Sequence, residues 1–218
     1  MDAVERAAAL REYAEQTATC TKCALAAGRT QVVFGSGNPN ADLMFVGEAP
    51  GFHEDQQGVP FVGQAGKLLD RLLEGIGLTR ADVYVVNVLK CRPPGNRDPL
   101  PEEIASCEPH LFRQIELMEP TFVATLGNFA TKLLSGRPAG ITRVHGQQQE
   151  VTLGSRKVSL YPLYHPAAAL YTPSMLKLLE EDFARIPQLL EAAQAAAVPT
   201  EFLPVVGHEP EAVQLGLF

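Results

Sequence analysis

Short apolar runs alternate with amphipathic stretches through most of this 218-residue chain. "ADLMFVG" (41–47), "VYVVNVL" (83–89) and "TFVATLG" (121–127) are almost continuously apolar, the mark of strands buried on both faces. Helical patterns lie between them. "QAGKLLDRLLEGIG" sets Leu68, Leu69, Leu72, Leu73 and Ile76 on one stripe and stops at Gly77. "PEEIASCEPHLFRQIELM" (101–118) opens with proline and carries acids in its first turn, where the helix dipole favours them. Residues 3–17 read as an amphipathic helix, "NFATKLLS" (128–135) as a short helix, and about 173–186 as a closing helix. "QQQEVTLGSRKVSLYPLYH" (147–165) reads as a hairpin that turns at Gly154-Ser155 and whose second arm runs to His165.

Strand–helix–strand repetition predicts an α/β fold over residues 1–186, a three-layer α/β/α domain with a central, mainly parallel sheet. Residues 187–218, rich in Ala, Pro and Glu, read as a flexible extension. Ligands in such folds sit beyond the carboxyl ends of the strands. That rule puts "GEAPG" (47–51), "NVLKCRPPGNR" (87–97) and "YHPAAAL" (164–170) on one rim. Glu48 stands out there, because a charged group delivered by a buried strand is costly unless it is paired or used.

Charge and cysteine content then narrow the chemistry. No apolar run reaches the roughly 18 residues of a membrane span, and the N-terminus lacks the basic-then-apolar pattern of an export signal. Four cysteines in such a chain point to a reducing, cytoplasmic setting and to metal ligation rather than disulfides. Cys20 and Cys23 form C-x2-C, and Cys91 and Cys107 supply a second pair; zinc and an iron–sulfur cluster would both accept this ligand set. With every thiolate used, the centre is structural. The net charge of −7 argues against non-specific coating of DNA. It is uneven, however: 187–218 holds four glutamates and no Lys or Arg, whereas 127–157 holds five basic residues against Glu150 alone. A local nucleic-acid face therefore stays open.

Four blocks, "CTKCALAAGRT", "GEAPGFHEDQQGVPFVGQAGKLLD", "NVLKCRPPGNRDP" and "HPAAAL", resemble in this order the family 4 uracil-DNA glycosylases, the iron–sulfur branch of that superfamily. The resemblance runs from residue 20 to about 186. It implies hydrolysis of the bond between uracil and deoxyribose in DNA, the abasic site then entering base excision repair. It also implies one [4Fe–4S] cluster on Cys20, Cys23, Cys91 and Cys107. Phe61 would stack on the uracil ring, Asn87 would match O4 and N3–H, and His165 would lie beside O2, with Glu48 and Ala49 lining the turn. The better-known family 1 branch places a water-positioning aspartate one residue after the position that Glu48 matches. Here that residue is Ala49, so Glu48 and Glu54 are both candidates for handling water.

The same resemblance implies that Arg92, Asn96, Arg97 and Arg143 meet the DNA strand and that Leu170 wedges into the vacated stack. His53, His110, His145 and His208 are expected to be ordinary surface or core residues. "QLGLF" (214–218) resembles the peptide with which bacterial repair proteins dock on the sliding clamp, with Gln214, Leu215, Leu217 and Phe218 as anchors. A monomer without membrane contact is expected. Two other readings stand beside this one. A uracil-trapping superfamily member would need a nucleophilic histidine, which "KCRPPGNRDP" lacks. A non-catalytic iron–sulfur DNA-binding or sensor module would have no use for Glu48, Asn87 and His165 on one rim.

Overall fold

Successive residues of a strand point to opposite faces, and here both faces are apolar. Leu43, Phe45, Val83, Val85, Phe122 and Ala124 enter one core, whereas Met44, Val46, Tyr84, Val86 and Val123 enter another. A sheet so composed needs helices on both sides. The computed structural model, which describes residues 1–197, has that arrangement. Along the chain run α1 (Ala3–Ala18), β1 (Ser36–Gly37), β2 (Leu43–Gly47), α2 (Phe52–Gln57), α3 (Gln64–Gly75), β3 (Tyr84–Asn87) and α4 (Pro101–Met118). There follow β4 (Phe122–Leu126), α5 (Asn128–Ser135), α6 (Ile141–Val144), β5 (Gln149–Leu153), β6 (Arg156–Leu163), α7 (Pro166–Ala169), α8 (Pro173–Ala184) and α9 (Ile186–Ala197).

The sheet order is β1-β3-β2-β4-β6-β5; the inner four strands are parallel and the edge strands β1 and β5 antiparallel. Helices α3, α8 and α9 cover the first core, and α1, α4 and α5 the second. The expected three-layer α/β/α fold is therefore present. Parallel pairing brings the carboxyl ends of β2, β3, β4 and β6 to one edge of the sheet.

Several boundaries differ from the sequence reading. The run 83–89 gives a strand that ends at Asn87, because Val88 and Leu89 turn to donate to the carbonyls of Gly47 and Glu48 (both 2.9 Å). The hairpin's second arm ends at Leu163, and His165 instead caps α7. The stretch after "GEAPG", to which the sequence reading gives no element, contains α2. The domain boundary at 186 also moves. Residues 186–197 form α9, with Ile186 and Ala193 buried in the first core and Leu189 and Leu190 packed on it. Gln194 Nε2 donates to Asp42 Oδ2 (2.8 Å). The spacing 186, 189, 190, 193 is a helical stripe that the alanine-rich composition obscured. The QLGLF peptide lies outside the described residues. Among the described residues no helix is long and apolar enough to cross a membrane.

Ile186→Ala should destabilise the domain by about 2–4 kcal/mol in denaturant unfolding, the usual cost of truncating a fully buried Ile. A loss below about 0.5 kcal/mol would mean that α9 is not part of the cooperative unit.

Candidate active site

The parallel ladder sets Gly47 beside Asn87 at the ends of β2 and β3. Two residues beyond β6 comes His165. These tips and the segment between α2 and α3 enclose an open cleft of about 570 Å³, lined by Glu48, Ala49, Phe61, Asn87 and His165 among others. All five base-contact candidates thus share one site. A Cβ on Gly47 would overlap Asn87 Oδ1 and come within 2.7 Å of Phe61 Cζ, so the missing side chain is what admits both groups. Asn87 is 2% exposed, and its Oδ1 has no hydrogen-bond partner among the described residues. An unanswered buried acceptor costs about 1–3 kcal/mol, and native structures carry few of them.

Phe61 sits at φ +55, a left-handed conformation that an aromatic residue adopts only when held there. Arg80 Nη2 donates to its carbonyl (2.9 Å) while Arg80 Nε is held by Asp70 (2.5 Å). Glu54 Oε1 accepts from the next two amides, Val62 N (2.9 Å) and Gly63 N (3.0 Å). Gly66 packs against the Phe61 carbonyl so closely that any Cβ there would collide with it. So braced, the Phe61 ring lies near-parallel to the His165 ring, 28° apart with centroids at 5.5 Å.

His165 Nδ1 accepts from Ala167 N (3.1 Å), which leaves the neutral ring's proton on Nε2. Burial pushes the imidazolium down to about 4, against the opposing pull of the Glu54 charge. Part of the ring still opens on the cleft. Glu48 is half-buried, and burial followed by the like charge of Asp98 raises its carboxyl above the ordinary range. Glu54 differs, since one of its oxygens is committed to the Phe61 segment.

The strand-contact candidates separate. Arg92 Nε donates to Asn96 Oδ1 (2.7 Å), and its guanidinium lies 5.2 Å from the centre of the Phe52 ring. Arg97 spends its fork on buried Glu103 (2.9 and 2.6 Å), so it braces the loop to α4 rather than standing free for phosphate. Asn96 and Arg97 line the cleft, whereas Arg143 is exposed on α6 away from it. Leu170 packs half-buried on the first core, while the next residue, Tyr171, is 90% exposed.

Cys20, Cys23, Cys91 and Cys107 line one small cavity, and none forms a disulfide. Donors surround the sulfurs. Lys90 N reaches Cys107 Sγ (3.3 Å), Arg29 Nη1 reaches Cys91 Sγ (3.5 Å), and His110 Nε2 lies 3.4 Å from Cys20 Sγ. Burial raises the thiols of Cys91 and Cys107, the latter to about 11, so both hold their protons unless a cation takes their place. Lys90 itself is fully buried; its Nζ donates to the Asn87 carbonyl (2.6 Å), and burial lowers it to about 7. Ala49 touches the cysteine lobe and also lines the cleft.

Sequence reasoning passed over several of these residues. His110 belongs to the cysteine lobe rather than to ordinary core, and His53 lines the cleft. His145 is paired with buried Asp182 (2.8 Å), and His208 lies outside the described residues. Lys90 carried a visible signal, as an ionisable side chain directly after an apolar run. Arg29 and Arg80 carried none, since their partners are distant in sequence.

Comparison with known proteins identifies the family. A family model for the uracil DNA glycosylase superfamily matches residues 34–191. The chain is 46% identical to a type-4 uracil-DNA glycosylase of Sulfurisphaera tokodaii, over 83% of this chain and 84% of that protein. It is 46% identical to the type-4 enzyme of Archaeoglobus fulgidus (83% and 92% covered) and 42% identical to that of Thermotoga maritima (81% and 92%).

Side-chain NMR should find His165 as the Nε2–H tautomer, titrating near pH 4. Because its folded value lies below the ordinary 6.5, the stability held by the neutral ring is complete above pH 6.5 and lost as pH falls toward 4. A midpoint near 6.5 would contradict the buried neutral ring.

Proposed function

Since the chain belongs to the uracil-DNA glycosylase superfamily, and within it to the type-4 group, we propose that it hydrolyses the N-glycosidic bond of deoxyuridine flipped out of DNA, leaving an abasic site. The observation that carries this reading is the buried, unanswered Oδ1 of Asn87 beside Phe61 and His165. Uracil N3–H supplies the missing donor, and its O4 accepts from the amide nitrogen. Cytosine offers a bare N3 and an amino group at these two places, so both contacts fail. Each buried mismatch costs about 1–3 kcal/mol.

A base inside a duplex is out of reach, so the uridine must first rotate into the cleft. The Phe61 and His165 rings stand too close for a third ring between them, because carbon contact needs about 3.5 Å on each side. The base therefore lies across the open face of Phe61, with His165 at its edge. As the bond breaks, negative charge grows on uracil O2, and the Nε2–H of a neutral imidazole is aimed where it gathers. With its imidazolium this acidic, His165 stabilises that charge by hydrogen bonding rather than by carrying a cation. Glu48 is the carboxylate we assign to orienting water or favouring the sugar cation, since Glu54 already gives Oε1 to the Phe61 segment. Asn96 lines the cleft, and Arg92, bonded to it and packed on Phe52, is the guanidinium that would meet the strand there.

The four thiols suit a single [4Fe–4S] cluster. No three of them, nor any other such group among the described residues, converge on a single metal ion. The surrounding N–H donors and the buried Lys90 suit a polynuclear centre of net negative charge. When bound, such a cluster supplies a structural tie between the end of α1, the loop after β3 and α4. For Gln214, Leu215, Leu217 and Phe218, clamp docking stays a proposal that rests on the peptide's resemblance alone.

The protein incubated with uracil-containing single-stranded DNA and then alkali should cut the strand at the uracil; an intact strand would refute the proposal. Asn87→Asp puts a second acceptor opposite O4 and should lower uracil release by about ten- to a hundredfold. Glu48→Gln should lose most turnover and the acid limb of the pH profile, while DNA binding in a gel-shift assay persists. Near-parental turnover by Glu48→Gln would show that the carboxylate is dispensable.

A further inference from the structure

The GEAPG turn leads into an aromatic residue that no step above uses. Phe52, the first residue of α2, is 52% exposed, yet it lines the same cleft as Asn87 and His165. Its ring is braced rather than loose. The Arg92 guanidinium lies 5.2 Å from its centroid, and Asn96 Oδ1, four residues on in the same loop, accepts from Arg92 Nε (2.7 Å). The His53 ring meets it edge-on at 5.4 Å and 78°. Helix α2 cannot easily withdraw, because Asp55, 4% exposed, accepts from Thr30 N (3.0 Å) and Gln56 Nε2 donates to Thr30 Oγ1 (2.8 Å).

We propose that Phe52 is a stacking platform for the nucleobase next to the flipped-out uridine, with Arg92 fixing the ring and facing the intervening phosphate. This rests on the glycosylase reading and extends it to a second base site. When a uridine leaves the stack, its neighbour loses a stacking partner and bares one face. An aromatic ring with open surface at the mouth of the cleft replaces that partner, and a guanidinium on its other side supplies the positive charge that the backbone attracts. Every base has a π-face, so the site takes any nucleobase of single-stranded or locally opened DNA. Tyr171 is more exposed but lies outside the cleft lining, which favours Phe52.

A mutant cycle on full-length protein tests this. Wild type and Phe52→Ala are assayed on single-stranded oligonucleotides with one deoxyuridine whose 5′ or 3′ neighbour is either intact or replaced by an abasic spacer. Phe52→Ala should raise KM about tenfold on the intact substrate. On the substrate that lacks one of the two neighbours, the proteins should have equal KM, and Phe52→Tyr should restore the intact-substrate value. The same rise in KM on every substrate, or none on any, would overturn the platform. Fluorescence of 2-aminopurine at the neighbouring position reads stacking without turnover: wild type should quench it and Phe52→Ala should not. Quenching by wild type with no uracil released would spare the platform and defeat the glycosylase reading; equal quenching by both proteins would defeat the platform alone.

Discussion

The register that sets Gly47 beside Asn87 is the constraint on which the rest of the structure depends. Parallel pairing of β2 and β3 brings the two residues level, and the missing side chain of Gly47 makes a space that the Asn87 amide and the Phe61 ring share. A shift of one residue would turn Asn87 to the opposite face of the sheet and put Val46 or Glu48 against the ring. The helices on either side fix that register by burying alternate residues of the same strands. Fold stability and site geometry are thus one requirement.

Around that point the molecule concentrates groups that are costly to keep. Phe61 is held in a left-handed conformation by Arg80, Glu54 and Gly66; His165 is kept neutral by burial, and Glu48 sits half-desolvated beside Asp98. The cysteine lobe joins the site at Lys90, whose amide meets Cys107 and whose ammonium meets the Asn87 carbonyl. Burial lowers Lys90 to about 7, and the negative charge of a cluster held by four thiolates would favour its charged form. Lys90 thus ties the cysteine lobe to the strand tip that carries Asn87.

Local pattern was enough to read the layers, the strand tips and the four-cysteine set. Asn87 and His165 were legible because each follows an apolar run at the edge where parallel strands end. What escaped depends on contacts between distant segments. The role of Arg97 turned on buried Glu103, that of His110 on Cys20, and the bracing of Phe61 on Arg80. Helix α9 escaped for another reason: its stripe of Ile186, Leu189, Leu190 and Ala193 was present, but an alanine-rich composition read as linker outweighed it. Glu48 and Glu54 could not be told apart without seeing that one of them bonds two amides of the neighbouring segment.

The most direct test is a crystal structure of the protein with uracil bound. The account predicts the base flat on Phe61, N3 within hydrogen-bond reach of Asn87 Oδ1, and O2 at His165 Nε2. Uracil bound elsewhere, or an Asn87 amide turned away to a partner within the protein, would contradict it.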